Sequence, residues 1–329
     1  MRVFVTHNPE DRAAYYGRAL PELAAIAEVV TNPLERDLTT AELIDAAAGC
    51  HVIVAHRSTP GDAEVFEQLP ELLAFLRCAV DISTIDVAAA SANGVLVARA
   101  DKSFIASTAE LALGLLIDTA RHISASTADY RSHRVPPQRP GHQLAGRTAG
   151  VIGYGAIGSY LAPMLAALGM HVLVCDPFVT VDDPRFTQVA LADLLARADA
   201  VFPLTISDAA TEHLIGAAEL AAMKPGALLI NVSRGEVLDE AAVAAALDSG
   251  HLGGLGIDVG QAPDQRPSPA LAARPGVVAT PHLGGLTPEN ADAQAASSVE
   301  QVAAMNAGQV PPRTVNAEHA TRLREFVGR

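Results

Sequence analysis

The sequence predicts an α/β protein built from two doubly wound parallel-sheet domains, and three observations carry that prediction. The chain has 329 residues, more than one hydrophobic core ordinarily supports, so two domains are expected. Half of its residues are hydrophobic, enough to give each domain a buried core. Short β-branched runs alternate, in two successive series, with Ala- and Leu-rich stretches of helical periodicity, the pattern of βαβ units.

Five runs make up the first series, residues 3–6, 28–31, 51–55, 75–80 and 95–98, and fit a flavodoxin-like domain. A helical pattern over 107–131 follows. It opens on Ser107-Thr108-Ala109-Glu110, which reads as a capping box, and is expected to carry the chain between domains. Residues 134–141 hold three prolines and no periodicity, as a loop does. The second series has six runs, 149–153, 171–176, 200–204, 228–232, 254–259 and 277–280, which suits a Rossmann sheet. After Thr287-Pro288-Glu289 an Ala-rich helix leads toward the last residues. The expected division is 1–104 with 287–329 in one domain and 105–286 in the other.

A net charge of −14 repels phosphate backbones and anionic membrane surfaces, so nucleic acid is not expected as a partner. An anionic ligand must then be met by local positive groups. No run of about 18 apolar residues is present, which argues against a membrane span. Met1-Arg2-Val3-Phe4-Val5 enters a strand pattern directly, without the succession of a signal peptide, and makes the cytoplasm the expected compartment. Cys50, Cys78 and Cys175 lie far apart in apolar runs, where small buried side chains are usual, and no metal site is expected.

Gly153-Tyr154-Gly155-Ala156-Ile157-Gly158 follows an apolar run and opens a helical pattern, the context that makes a glycine triplet a dinucleotide fingerprint. Gly153 permits the tight turn, Gly155 lets backbone amides reach a pyrophosphate, and Gly158 lets helix and strand pack closely. Asp176, before Pro177, ends the next run, about 20 residues on, where a carboxylate can accept from ribose hydroxyls. That favours NAD over NADP; capping of the turn at Pro177 is the alternative for Asp176. Pro163 falls inside the helical pattern and should bend it.

The stretch from Leu228 through Asn231-Val232-Ser233-Arg234-Gly235-Glu236 to Glu240 resembles the D-isomer-specific 2-hydroxyacid dehydrogenases. So do Ser107-Thr108-Ala109-Glu110-Leu111, Gly253-Gly254-Leu255-Gly256-Ile257-Asp258-Val259 and Thr280-Pro281-His282-Leu283-Gly284-Gly285, so the resemblance covers nearly the whole chain. It implies a Rossmann domain that binds NAD and a flavodoxin-like domain that binds a small 2-oxo or 2-hydroxy acid. Arg234 would pair with the carboxylate and carbonyl oxygen of that acid, a task suited to a permanently charged fork. His282 would give that oxygen its proton and take it back in reverse. Asp258 would lie near the nicotinamide carboxamide, Thr108, Val232, Ser233 and Gly285 along the cofactor cleft, and Thr211 at the phosphates. Without the resemblance, Arg234 reads as a surface partner of Glu236 or Asp239, and His282 as a strand-end cap. A homodimer through the 107–131 helix is also implied, although burial within one subunit equally explains its apolar face.

Two departures from the family bear on the chemistry. The Glu that usually orients the histidine, five positions after the aspartate matched by Asp258, is here Pro263. Gln261 is the candidate substitute, as in the related formate dehydrogenases, with Asp264 the other neighbour and an exposed loop position the plainer reading of Gln261. A neutral amide would leave His282 titrating lower than a carboxylate partner would. In the loop from Cys78 to Asp86, two glycines whose neighbouring amides hold the substrate carboxylate are replaced by Ala79 and Asp81. Val80, Asp81 and Ile82 are therefore candidate substrate contacts, Asp81 either meeting a hydroxyl or ammonium group or pointing to solvent. The family's glycine-rich turn before the long helix becomes Asp101-Lys102-Ser103-Phe104. Arg57, in His56-Arg57-Ser58 after a strand, could hold a second anionic group or pair with Asp62 or Glu64. The expected activity is hydride exchange between NAD(H) and a D-2-hydroxy acid. The alternatives are oxidation of another small oxyacid, as in phosphite dehydrogenases, or a corepressor-like NAD sensor with little turnover.

Overall fold

The computed structural model describes residues 1–262 and 264–328, so the position of Pro263 lies outside the described residues. The chain divides into two units, Met1–Ser103 with Pro288–Arg329, and Phe104–Thr287.

In the first unit, β1 (Arg2–Val5), β2 (Glu28–Thr31), β3 (Val52–Ala55), β4 (Ala74–Arg77) and β5 (Leu96–Arg99) form a parallel sheet in the order β2-β1-β3-β4-β5. That is the flavodoxin-like order, with its switch point between β1 and β3. Side chains alternate across the pleat. Val3 and Val5 enter a core with Val52, Val54 and Leu76, while Phe4 enters the opposite one with Ile53, Phe66 and Phe75. Sheets buried on both faces demand nearly unbroken apolar strands, which is why these runs were legible. The helix Pro288–Asn306 covers the first core with Val302 and Met305. Its Ser298 hydroxyl bonds the Tyr16 hydroxyl, and Asn316 Oδ1 accepts from the Val97 amide at 2.8 Å.

The second unit holds β6 (Thr148–Ile152), β7 (His171–Cys175), β8 (Phe186–Gln188), β9 (Ala200–Pro203), β10 (Ala227–Asn231), β11 (Leu252–Ile257) and β12 (Val277–Ala279). All pair in parallel, in the order β12-β11-β10-β9-β6-β7-β8. This is the Rossmann order extended by one strand. Six strands were expected; the additional β8 has three residues and buries only Phe186, too little for a periodicity to register.

The helical stretch over 107–131 differs from expectation at both its start and its middle. It begins at Ile105, so Ser107 lies within the first turn and donates to the Phe104 carbonyl instead of capping. It is also two helices, Ile105–Arg121 and Ile123–Arg131, because His122 adopts a left-handed conformation at φ 56° and stops the first. The first helix sits against β11 at its glycines. A methyl group on Gly256 would lie 3.0 Å from Leu115 Cβ and 2.8 Å from Ile230 Cδ1, so larger residues there would lift the helix off the sheet. The helix Ala156–Ala167 runs on through Pro163. Among the described residues no helix is long and apolar enough to cross a membrane.

Candidate active site

The glycine loop sits at the end of β6, beside β9, where the strand order of the second unit reverses. Gly153 has φ 94°, and a Cβ there would meet the Leu204 carbonyl oxygen at 2.7 Å, so no other residue suits the turn. At Gly158 a Cβ would run into the Gly153 carbonyl. A Cβ on Gly155 would meet nothing within 4 Å, and with Ala156 this glycine is exposed at the helix start. An open approach to the first amides of a helix is what a pyrophosphate needs. Tyr154 and Ile157 pack against the core beneath.

Asp176 follows β7 and ties the loop down: its Oδ2 accepts from the Tyr154 amide at 2.7 Å, and its Oδ1 from the Phe178 amide at 2.8 Å. Oδ1 also accepts from the Val179 amide at 3.1 Å, whereas Oδ2, with one donor, retains acceptor capacity for a ribose hydroxyl. Among the described residues no Lys or Arg pairs with Asp176, as a site for a ribose without a 2′-phosphate requires. Pro177 is exposed, and beyond it Phe178 is 93% exposed. The residues present therefore fit NAD. Thr211 closes its own turn: its hydroxyl donates to the Ile206 carbonyl at 2.7 Å and accepts from the Asp208 amide.

The ends of β10, β11 and β12 lie side by side, and each carries a candidate residue. After β10, Asn231 organises the turn: its Oδ1 accepts from the Ser233 amide and hydroxyl, and its Nδ2 donates to the Arg234 carbonyl at 2.8 Å. Ser233 also donates to the Pro203 carbonyl, and Val232 is buried beneath. Arg234 is half-buried and forms no ion pair with Glu236 or Asp239; its Nη1 donates to the Ser233 carbonyl at 2.7 Å. Gly235 packs so tightly on Gly260 that a side chain would collide with its backbone.

Asp258, after β11, is 1% exposed and holds the turn that presents His282. Its Oδ1 accepts from Thr280 Oγ1 at 2.6 Å and the Leu283 amide at 2.7 Å; its Oδ2 accepts from the Gly284 amide at 2.8 Å. The His282 amide donates to the Asp258 carbonyl at 2.9 Å, with His282 at φ 62°. Gly284 also lies against buried Thr108, whose Oγ1 a Cβ would approach to 3.3 Å, and Gly285 follows in the same turn. Among the described residues Gln261 is bonded elsewhere in its own neighbourhood. Its Nε2 donates to the Leu238 carbonyl at 2.9 Å and it lines a groove of about 430 Å³ with Asp239 and Glu240.

In the first unit, Arg57 follows β3, is exposed, and has no ion pair among the described residues; Asp62 accepts from Thr40 instead. Asp81 is exposed and its Oδ1 accepts from the Ser83 amide at 2.9 Å, an arrangement that shapes its own loop. Val80 and Ile82 are half-buried, Ile82 against the core. Sequence reasoning missed Arg77, the last residue of β4, which is 1% exposed. Its signal was an arginine closing the apolar run Ala74-Phe75-Leu76. Burial pulls its pKa down to about 10. Beside it, burial first, then the charges of His56, Arg12 and Arg77, push His7 down to about 3. His56 is lowered by burial, against the pull of Asp11 and Asp37. Cys78 is raised to about 12 by burial, which leaves it inert, and no cysteine forms a disulfide.

Residues 113–284 match the family model for the NAD-binding domain of D-isomer-specific 2-hydroxyacid dehydrogenases. D-3-phosphoglycerate dehydrogenase of Mycobacterium leprae is 37% identical over 84% of this chain and 53% of its own length, so the chain spans about half of that relative. (S)-sulfolactate dehydrogenase of Chromohalobacter salexigens is 35% identical over 80% of this chain and 90% of its own length. Among solved structures, D-2-hydroxyisocaproate dehydrogenase superposes with a TM-score of 0.87 at 23% identity, over 96% of this chain and all of that one, which shows the shared fold. With the glycine loop, the Asn231–Arg234 turn and the Asp258-held histidine in place, the chain belongs to the NAD-dependent D-isomer-specific 2-hydroxyacid dehydrogenase family.

Proposed function

We propose that this chain interconverts a small D-2-hydroxy acid and its 2-oxo acid, with Arg234 binding the substrate and His282 as the acid–base group. NAD supplies or accepts the hydride. The observation that carries this reading is that two strand-end turns flank Asp258: the turn after β10, whose Asn231 carbonyl accepts from the Asp258 amide at 3.0 Å, presents a guanidinium without a carboxylate partner among the described residues, and the turn after β12, held by the Asp258 carboxylate, presents a histidine. Arg234 would orient the carboxylate and polarise the carbonyl oxygen through parallel charge-assisted bonds. An imidazole nitrogen of His282 would hold the proton that this oxygen takes up on reduction and recover it on oxidation. Asp258 keeps that ring's turn in place through its bonds to Thr280 and to the Leu283 and Gly284 amides. The glycine loop and Asp176 would hold the dinucleotide, with Thr108, Val232, Ser233 and Gly285 along it.

For the first unit we assign recognition of the remainder of the substrate. Arg57, without an ion pair among the described residues, suits a second anionic group, and two relatives are named for 3-phosphoglycerate and sulfolactate, acids that carry one. Carried over from the family, the same proposal includes a homodimer, and a cytoplasmic location is proposed with it. NADH absorbance with glyoxylate, hydroxypyruvate, pyruvate and the 2-oxo forms of those two acids tests it, with Arg234→Ala alongside. Oxidation of NADH that disappears in the variant is the expected result; cofactor binding without turnover on any acid would favour an NAD sensor.

A further inference from the structure

The guanidinium of Arg77 is buried, among the described residues, without a carboxylate in hydrogen-bonding contact, and its bonds run to two loops. Nη1 donates to the His56 carbonyl; Nη2 donates to the Thr59 carbonyl at 2.8 Å and to Thr84 Oγ1 at 2.9 Å. His56 and Thr59 bracket Arg57-Ser58, and Thr84 belongs to the loop of Val80, Asp81 and Ile82. The same two loops meet again where the Gly61 amide donates to the Thr84 carbonyl at 2.9 Å. Arg77 pairs with Ala55 in the β3–β4 register, so its charge lies directly under the start of the Arg57 loop.

Packing alone does not account for an arginine here. A methionine would fill the space without desolvating a charge, and a buried charge is ordinarily kept only when well satisfied. This one is not: its Nε has no hydrogen-bond partner. Carbonyls from an exposed loop, in contrast, are what a rigid planar fork can hold in register. The geometry points to Arg77 as a positioning residue that fixes Arg57 for a second tetrahedral oxyanion, phosphate or sulfonate, on the substrate. The inference rests on the assignment of Arg57 to that group.

The test is calorimetric binding of D-3-phosphoglycerate, 3-sulfolactate and D-glycerate to the full chain loaded with NADH. A hydroxy acid cannot be oxidised by reduced cofactor, so affinity is read without turnover. Wild type is expected to bind one or both of the doubly anionic acids at least about tenfold more tightly than D-glycerate, and the one preferred identifies the group. Arg77→Met should abolish that preference while NADH affinity stays within about twofold; Arg77→Lys should restore only part of it. Arg57→Ala should abolish it too, and Arg57→Ala with Arg77→Met should be no worse than Arg57→Ala alone, because one residue acts through the other. A preference that survives Arg77→Met, single losses that add in the double variant, or a wild type without preference overturns the inference. Should the binding pattern hold while NAD-linked turnover is absent, the dehydrogenase reading fails and the role of Arg77 stands.

Discussion

Arg234 presents a planar guanidinium from a turn that Asn231 fixes through both its oxygen and its amide nitrogen. The value of that arrangement lies in the fork as much as in the charge. Arg234→Lys should therefore leave NADH affinity intact and lower kcat/KM by about a hundredfold, read by steady-state kinetics. A loss confined to KM would assign Arg234 to ground-state binding alone. His7 poses a different question, because it is 2% exposed and its Nδ1 has no partner. With its pKa held near 3 in the folded chain and at about 6.5 when unfolded, the unfolded state binds the extra proton between those values. Stability contributed by neutral His7 is thus present above about pH 6.5 and lost as pH falls toward 3, by up to about 1.4 kcal/mol per pH unit. Urea unfolding of His7→Leu should show a shallower decline across that window; an unchanged slope would mean that the proton finds a place in the fold.

At the scale of elements, the strand–turn–helix of β6 separates two functions of glycine that a motif merges. Gly158 exists for packing, Gly155 for access. Gly158→Ala should lower both the thermal midpoint and NADH affinity, since the added methyl strikes the Gly153 carbonyl. Gly155→Ala should leave the midpoint within about a degree and still weaken NADH binding about tenfold or more, because its methyl fills only the open approach. Equal thermal losses would show that Gly155 also serves packing. Most elements were legible from sequence because a sheet covered on both faces writes its strands as apolar runs. What escaped were features without periodicity. The stop at His122 depends on one left-handed residue that is not glycine, and β8 on a single buried phenylalanine. The close packing of Gly235 on Gly260, which leaves no room for a side chain, rests on two residues that look interchangeable with any loop glycine. In the site, Arg234 and His282 stood out by their motifs, whereas Asp258 as the clamp on the histidine turn and Arg77 under the Arg57 loop emerged only from hydrogen bonds.

For the whole molecule, each unit owns its cores: Val3, Leu76 and Met305 pack within the first, Val151, Phe202 and Ile230 within the second. The dinucleotide loop belongs entirely to the second. In calorimetry, NADH at about a hundred times its Kd should stabilise that unit by about 2.7 kcal/mol and move its transition upward. No movement at saturating NADH would contradict a working cofactor site. The helix Pro288–Asn306 adds a consequence of another kind. It covers the first sheet, yet the ribosome delivers it only after the whole second unit has been made. Through that interval Leu76, Val54 and their neighbours lack the cover of Val302 and Met305, so the nascent first unit is the stretch a chaperone would hold. The second unit, continuous in sequence, can fold first, and residues 1–103 are completed by the helix that follows it.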